Sequence, residues 1–236
     1  MMGFGSERND SEKREAVLHA AIFDLDGTLL DTLQDLTDSF NEALTRYGFP
    51  PHPPHVYRTL IGSGARRLVE RAVGGGVSQA SVSAETVESV LAAFTERYQQ
   101  TLDRHTRPYD GIPELLATLS ARGIRLAVLS NKSDECTKAL VARFFPDIRF
   151  EAVLGLRPGF PAKPDPASAL EIAAEMGIDP ERIVCIGDSG SDMTTACRAG
   201  MMPVGVLWGY REREELLDAG ARTLSACPDE LDKVFA

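Results

Sequence analysis

A chain of 236 residues with 43% hydrophobic content can bury one large core, or a core domain plus a smaller inserted one. Its formal net charge of -10 argues against nucleic-acid binding, which needs a basic surface, so any site for a phosphorylated ligand must carry its own local cations. Cys136, Cys185, Cys197 and Cys227 lie far apart, with no C-x-x-C pair and no clustered histidines, which argues against a zinc site or disulfide scaffold and for reduced thiols in a cytoplasmic protein.

Residues 1–16 are charged and lack an apolar run, so a disordered tail is expected there, neither signal peptide nor membrane span. No later stretch reaches the roughly 20 apolar residues of a membrane helix, and no membrane partner is expected. Val17, Leu18, Ala20, Ala21, Ile22 and Phe23 predict a buried strand, because a parallel strand covered on both faces is apolar throughout. Asp24 and Asp26 follow at its carboxyl end, just before Gly27, where open α/β sheets bind ligands. Two carboxylates that close repel, so a metal cation, a shared proton or both is expected.

The apolar period then changes. Leu33, Leu36, Phe40, Leu44 and Tyr47 recur at helical spacing up to Gly48 and a proline-rich stretch over Pro50–Pro54. Gly62-Ser63-Gly64 interrupts the next segment, and Ala65, Leu68, Val69 and Ala72 predict a helix that Gly74-Gly75-Gly76 ends. Val87, Val90, Leu91, Phe94 and Tyr98 predict another. Residues 31–105 therefore read as all-helical.

Strand and helix alternate again from Tyr109. Helices are predicted over Ile112–Ala121 and Asp134–Phe144, with the strand Arg125–Leu129 between them delivering Ser130, Asn131 and Lys132. A short strand over Ala152–Leu156 precedes a helix with Asp165 as N-cap and Pro166 at its first position. Ile183–Ile186 is a strand delivering Gly187 and Asp188, a helix runs through Met193 and Ala196 to Gly200, and Val204–Leu207 is a further strand. The pattern predicts an α/β fold: a Rossmann-like parallel-sheet core over 17–30 and 106–236, with an all-helical cap over 31–105 inserted after the first strand.

Asp24/Asp26, Ser130/Asn131, Lys163 and Asp188/Asp192 each sit at a predicted strand end or loop, and a parallel sheet gathers such ends on one edge. The segments Asp24-Leu25-Asp26-Gly27-Thr28-Leu29, Ser130-Asn131-Lys132, Lys163-Pro164-Asp165-Pro166 and Gly187-Asp188-Ser189-Gly190-Ser191-Asp192 resemble the four motifs of the haloacid dehalogenase superfamily, specifically its phosphatases. The order and spacing match over nearly the whole chain beyond the tail.

The resemblance implies a Mg²⁺-dependent phosphatase in which Asp24 is the nucleophile and Asp26 the acid and base. Phosphate-ester hydrolysis is slow enough unaided that enhancements reach about 10²¹, and a carboxylate nucleophile divides it through an aspartyl-phosphate. Mg²⁺ would take the Asp24 and Asp188 carboxylates and the Asp26 carbonyl, with Asp192 acting directly or through water. Ser130 and Lys163 would hold the phosphoryl oxygens, Asn131 would contribute its backbone N–H, and Lys132 reads as a solvated charge at a helix start.

Ile61-Gly62-Ser63-Gly64-Ala65-Arg66-Arg67 resembles the specificity loop in the helical caps of phosphoglycolate phosphatases. Gly62, Ser63 and Gly64 would present backbone N–H groups to a substrate carboxylate, with Arg66 or Arg67 pairing with it. Trp208-Gly209-Tyr210-Arg211 reads as structural packing. The expected substrate is a small phosphorylated metabolite, 2-phosphoglycolate first. The same motifs leave open a β-phosphoglucomutase, a pyrophosphatase, a nucleotidase or a silent phosphate-binding module. A phosphonatase is disfavoured because residues 31–105 contain no lysine for a Schiff base. Monomer and homodimer are both left open.

Overall fold

The computed structural model describes residues 17–74 and 82–235. The expected tail over 1–16, and Gly75 and Gly76 of the glycine break, lie outside the described residues. In chain order the first half comprises β1 (Ala20–Phe23), β2 (Leu30–Asp31), α1 (Leu33–Arg46), α2 (Pro54–Leu60), α3 (Ala65–Val73), α4 (Ala84–Gln99) and β3 (Arg107–Pro108). Then follow α5 (Ile112–Ala121), β4 (Arg125–Ser133), α6 (Asp134–Phe144), β5 (Phe150–Leu156), α7 (Ala167–Met176) and β6 (Ile183–Gly187). The chain closes with α8 (Gly190–Ala199), β7 (Met202–Val206), α9 (Arg213–Asp218), β8 (Thr223–Ser225) and α10 (Pro228–Leu231).

The main sheet has the order β5-β4-β1-β6-β7-β8, with every pairing parallel. β1 lies between β4 and β6: Ala20 pairs with Arg125 and Ile183, and Phe23 with Val128 and Ile186. The carboxyl ends of these three strands are thereby neighbours.

The unbroken apolar character of β1 has its cause in two covered faces. Ala21 and Phe23 pack with Ile112, Leu116 and Leu140, while Ala20 and Ile22 pack with Ala169, Ile172 and Ala196. Each fully buried Phe, Leu or Ile contributes roughly 1.5–3 kcal/mol. The strand is shorter than the expected Val17–Phe23, since Val17 is 72% exposed and lies outside the sheet.

The four helices α1–α4 form the cap around Phe40, Leu44, Tyr57, Leu68, Val90 and Phe94. Phe40 and Phe94 stack with ring centroids 3.6 Å apart. The cap leaves and re-enters the core through β2 and β3, where Leu30 pairs with Pro108 and Asp31 with Arg107 in antiparallel sense. Asp31, expected in an all-helical segment, is therefore a strand residue; a two-residue ladder carries no periodicity to read. Buried Asp35 reinforces the junction by accepting from the backbone N–H groups of His105 and Thr106 and from Thr106 Oγ1.

Several boundaries differ from expectation: β5 starts at Phe150, β6 ends at Gly187 and β7 spans Met202–Val206. β4 runs on to Ser133, and α7 starts at Ala167, one residue later than predicted, with Pro166 as N-cap; Asp165 Oδ1 accepts from Ala167 N at 2.9 Å in an Asx turn just before it. Among the described residues no helix is long and apolar enough to cross a membrane.

Candidate active site

Asp24 and Asp26 follow β1, Ser130, Asn131 and Lys132 form the end of β4, Lys163 lies in the loop after β5, and Asp188 follows β6. The four motifs therefore meet on one sheet edge. The turn after β1 is tight: the N–H groups of Leu29 and Leu30 both donate to the Leu25 carbonyl. Gly27 sits there with φ +89°, and a Cβ at this position would stand 2.3 Å from Asp188 Oδ2. Only glycine admits both the left-handed backbone and the carboxylate.

Lys163 is the charge centre on the Asp24 side. Its Nζ donates to Asp24 Oδ1 at 2.8 Å, Asp192 Oδ1 at 2.6 Å and the Leu129 carbonyl at 2.8 Å, which uses all three of its N–H groups. Burial works to lower its pKa, but Asp192 and Asp24 outweigh it, so the ammonium is held charged.

One lysine does not neutralise the carboxylates around it. Burial pushes the Asp24 carboxyl up to about 6, with Lys163 opposing and Asp192 adding to the rise. Asp188 is driven well above the carboxylate range by burial and by repulsion from Asp24 and Asp192, although Tyr210 N donates to its Oδ2 at 2.7 Å.

Carboxylate oxygens of Asp24, Asp188 and Asp192 lie within 4.8 Å of one another. A buried, under-compensated set of oxygen donors fits a hard divalent cation. Asp192 is already committed on both oxygens: Oδ1 to Lys163, and Oδ2 to the N–H and hydroxyl of Ser189 in a capping box at the start of α8. Asp24 and Asp188 are thus the carboxylates best disposed to hold such an ion.

Asp26 has its own cation. Lys132 Nζ lies 2.9 and 2.8 Å from its two oxygens, and Thr32 Oγ1 donates to Oδ1 at 2.7 Å. The expectation that Lys132 is solvated is overturned, since its side chain is only 5% exposed and its Nζ stands 4.6 Å from the Tyr98 ring centroid in the cap. The pairing of β4 with β5 is irregular between Leu129 and Ser133, so strand alternation could not have placed this side chain.

The Asn131 side chain ties the site together, beside the backbone N–H expected to serve the phosphate. Oδ1 accepts from Lys163 N at 2.8 Å, and Nδ2 donates to the carbonyls of Lys163 at 3.0 Å and Gly62 at 2.8 Å. Ser130 is buried, and its Oγ accepts from Lys132 N.

A cavity of about 90 Å³ lies between this floor and the cap. Asp24, Asp26, Ser130 and Lys163 line it below, while Leu36, Phe40, Leu68, Phe94 and Tyr98 form the cap wall. Gly62 and Gly64 reach it, but Ser63 and Arg66 are not among its lining residues. Arg66 pairs with Glu88 and with Glu70 at 3.8 Å, and its side chain is 53% exposed. The reason lies in α3: Leu68, Val69 and Ala72 claim its inner face, which turns Arg66 to the acids outside.

The segment read as packing also has a polar role. Trp208 Nε1 donates to the Thr28 carbonyl at 3.0 Å, and the Tyr210 hydroxyl meets Thr32. Arg211 donates to the carbonyls of Arg58, Thr59 and Ile61, while Arg58 donates back to the Gly209 carbonyl. Separated by about 150 positions, these pairs leave no trace in local sequence.

Residues 21–206 match the sequence profile of the haloacid dehalogenase-like hydrolases. Phosphoglycolate phosphatase 1 of Pseudomonas aeruginosa is 32% identical over 222 residues, covering 90% of this chain and 80% of that protein. The N-acetylmuramic acid 6-phosphate phosphatase of the same organism is 33% identical over 198 residues, covering 84% of this chain and 85% of the relative. A crystal structure of a predicted phosphoglycolate phosphatase from Haemophilus somnus superposes with a TM-score of 0.85 at 27% identity, covering 94% of this chain and 99% of that one. With four motifs converging at the edge of a parallel sheet beneath a helical cap, the chain belongs to the haloacid dehalogenase-like hydrolases.

Proposed function

We propose that the chain hydrolyses a small phosphomonoester, 2-phosphoglycolate, through an aspartyl-phosphate on Asp24, with Mg²⁺ as its cofactor. The observation that carries this reading is the division of labour between the two acids. Asp24 faces Lys163 and Asp188, whereas Asp26, two residues on, faces Lys132 and Thr32 across the cavity floor. The substrate is suggested by the names of the relatives.

Ser130 and Lys163 hold the phosphoryl oxygens. An Asp24 oxygen attacks phosphorus, the bond from phosphorus to the ester oxygen breaks, and that oxygen keeps the electron pair and takes a proton from Asp26. Asp26, now a carboxylate, removes a proton from water as the water oxygen attacks the aspartyl-phosphate. The bond from phosphorus to Asp24 then breaks, which frees inorganic phosphate and restores the nucleophile. Asp24, Asp188 and the Asp26 carbonyl would hold Mg²⁺, whose chemistry is to offset the negative charge of phosphate and carboxylates. The cap wall excludes bulk water from the reacting groups.

The test is phosphate release from 2-phosphoglycolate by the full chain, in Mg²⁺ and in EDTA. N-acetylmuramic acid 6-phosphate is the second ester to assay, given the relative of that name. Metal-dependent release from 2-phosphoglycolate, together with a mass increase of one phosphoryl group on the peptide carrying Asp24 after acid quench, is expected. No release from 2-phosphoglycolate sinks the substrate; release without a phosphorylated Asp24 peptide sinks the intermediate.

A further inference from the structure

We propose that Lys132 is the specificity-determining residue of the cavity, its ammonium taking a carboxylate that the leaving group carries on the carbon next to the ester oxygen. This rests on the phosphatase reading above and assigns the recognition of the leaving group within it.

Among the described residues lining the cavity, the cationic side chains are Lys132 and Lys163. Lys163 stands beside Asp24, where the phosphoryl group is held, and its N–H groups serve Asp24, Asp192 and the Leu129 carbonyl there. Lys132 spends two on Asp26 and turns the third direction towards the Tyr98 ring. A charge-assisted hydrogen bond to a carboxylate is stronger than the contact of a cation with an aromatic face, so a carboxylate entering the cavity displaces the weaker partner.

Position selects the part of the substrate that meets it. Lys132 is bound to the acid that protonates the ester oxygen, so it stands on the leaving-group side while Lys163 stands on the phosphoryl side. A carboxylate on the first carbon beyond that oxygen falls beside Asp26 and therefore beside Lys132. Among the described residues of the cap no competing cation lines the cavity: Arg66 is turned outward onto Glu88, and the wall includes Leu36, Phe40, Leu68 and Phe94. The recognised class is the phosphate ester of a 2-hydroxy acid. The role expected of Arg66 thus passes from the cap to the core.

Two substrates of one carbon frame isolate the effect: 2-phosphoglycolate and 2-hydroxyethyl phosphate, which replaces the carboxylate by a hydroxymethyl group. The wild-type chain should prefer 2-phosphoglycolate. Lys132→Met should lower the ratio of the two kcat/KM values by about 10- to 100-fold, mainly through KM for 2-phosphoglycolate, and Lys132→Arg should recover part of it. An equal fall on both substrates makes Lys132 a support for Asp26 alone and overturns the proposal. So does a wild-type chain that hydrolyses 2-hydroxyethyl phosphate as well as 2-phosphoglycolate, an outcome that leaves the phosphatase standing. Release from neither ester in Mg²⁺ removes 2-phosphoglycolate as the substrate and overturns the proposal with it. If Lys132→Met does not fold, Lys132→Gln takes its place: a ratio equal to that of the wild type, with both rates reduced alike, counts against recognition.

Discussion

Asn131 of the core donates from Nδ2 to the carbonyl oxygen of Gly62 in the cap at 2.8 Å. The same side chain closes two bonds with the backbone of Lys163, so one amide fixes both the cap loop and the phosphate-side lysine. Asn131→Ala should destabilise the fold by about 1–3 kcal/mol, because it leaves buried backbone groups of Lys163 unpaired. KM should rise as the Gly62 loop loses its tether. Urea denaturation and steady-state kinetics measure both, and an unchanged denaturation midpoint would remove Asn131 from this role.

Asp24→Asn should abolish turnover, by about 10⁴-fold or more in kcat, as expected for loss of a nucleophile. The fold should survive, since the change also removes repulsion against Asp188 and Asp192. Circular dichroism with single-turnover phosphate release checks this; wild-type-like release by the variant excludes Asp24 as nucleophile.

The Asp24 carboxyl of the folded chain titrates at about 6, above its ordinary 3.8. A raised folded-state pKa favours the folded form at pH below the unfolded value, and that contribution is lost as pH rises through the folded value. In EDTA the chain should therefore lose stability between about pH 4 and pH 7, with Asp24 accounting for up to about 3 kcal/mol. Mg²⁺ should restore it, and Asp24→Asn should flatten the slope. Thermal melts across this range decide; a Tm in EDTA that falls with rising pH as steeply in the variant as in the wild type contradicts the assignment.

Gly27→Ala should impair metal binding more than folding. The new Cβ meets Asp188 Oδ2 and must adopt φ +89°, a strain of roughly 1–3 kcal/mol. The Mg²⁺ concentration for half-maximal activity should rise several-fold. An unshifted Mg²⁺ titration would mean that Asp188 is free to move without consequence.

Asp24, Asp26 and Asp188 were legible because strand ends announce themselves: an apolar run stops, a polar residue follows, and a parallel sheet collects such ends. Lys163, in a loop, was singled out only by the motif resemblance. Arg66 and Lys132 were read the wrong way round for a reason of a different kind. A side chain's direction depends on what its element packs against, and Glu88, which captures Arg66, lies on another helix. The side-chain bonds of Asn131 could not be read from the sequence, because its partners Gly62 and Lys163 are 69 and 32 positions away. Tyr98 read only as the apolar stripe of a helix, yet its ring also faces a buried ammonium.

The paired residues Asp31 and Arg107 bring the two crossings between core and cap side by side. Everything from Thr32 to Thr106 can in principle be lifted out and its ends rejoined by a tight turn, without stretching a strand of the main sheet. The cap is then a cassette. Grafting another chain's helices between the same two residues would hand this floor of carboxylates and lysines a new leaving group while the phosphoryl chemistry stays where it is. What such a graft would lose is Thr32, whose hydroxyl reaches back to Asp26, so the seam is best cut one residue inside the cap.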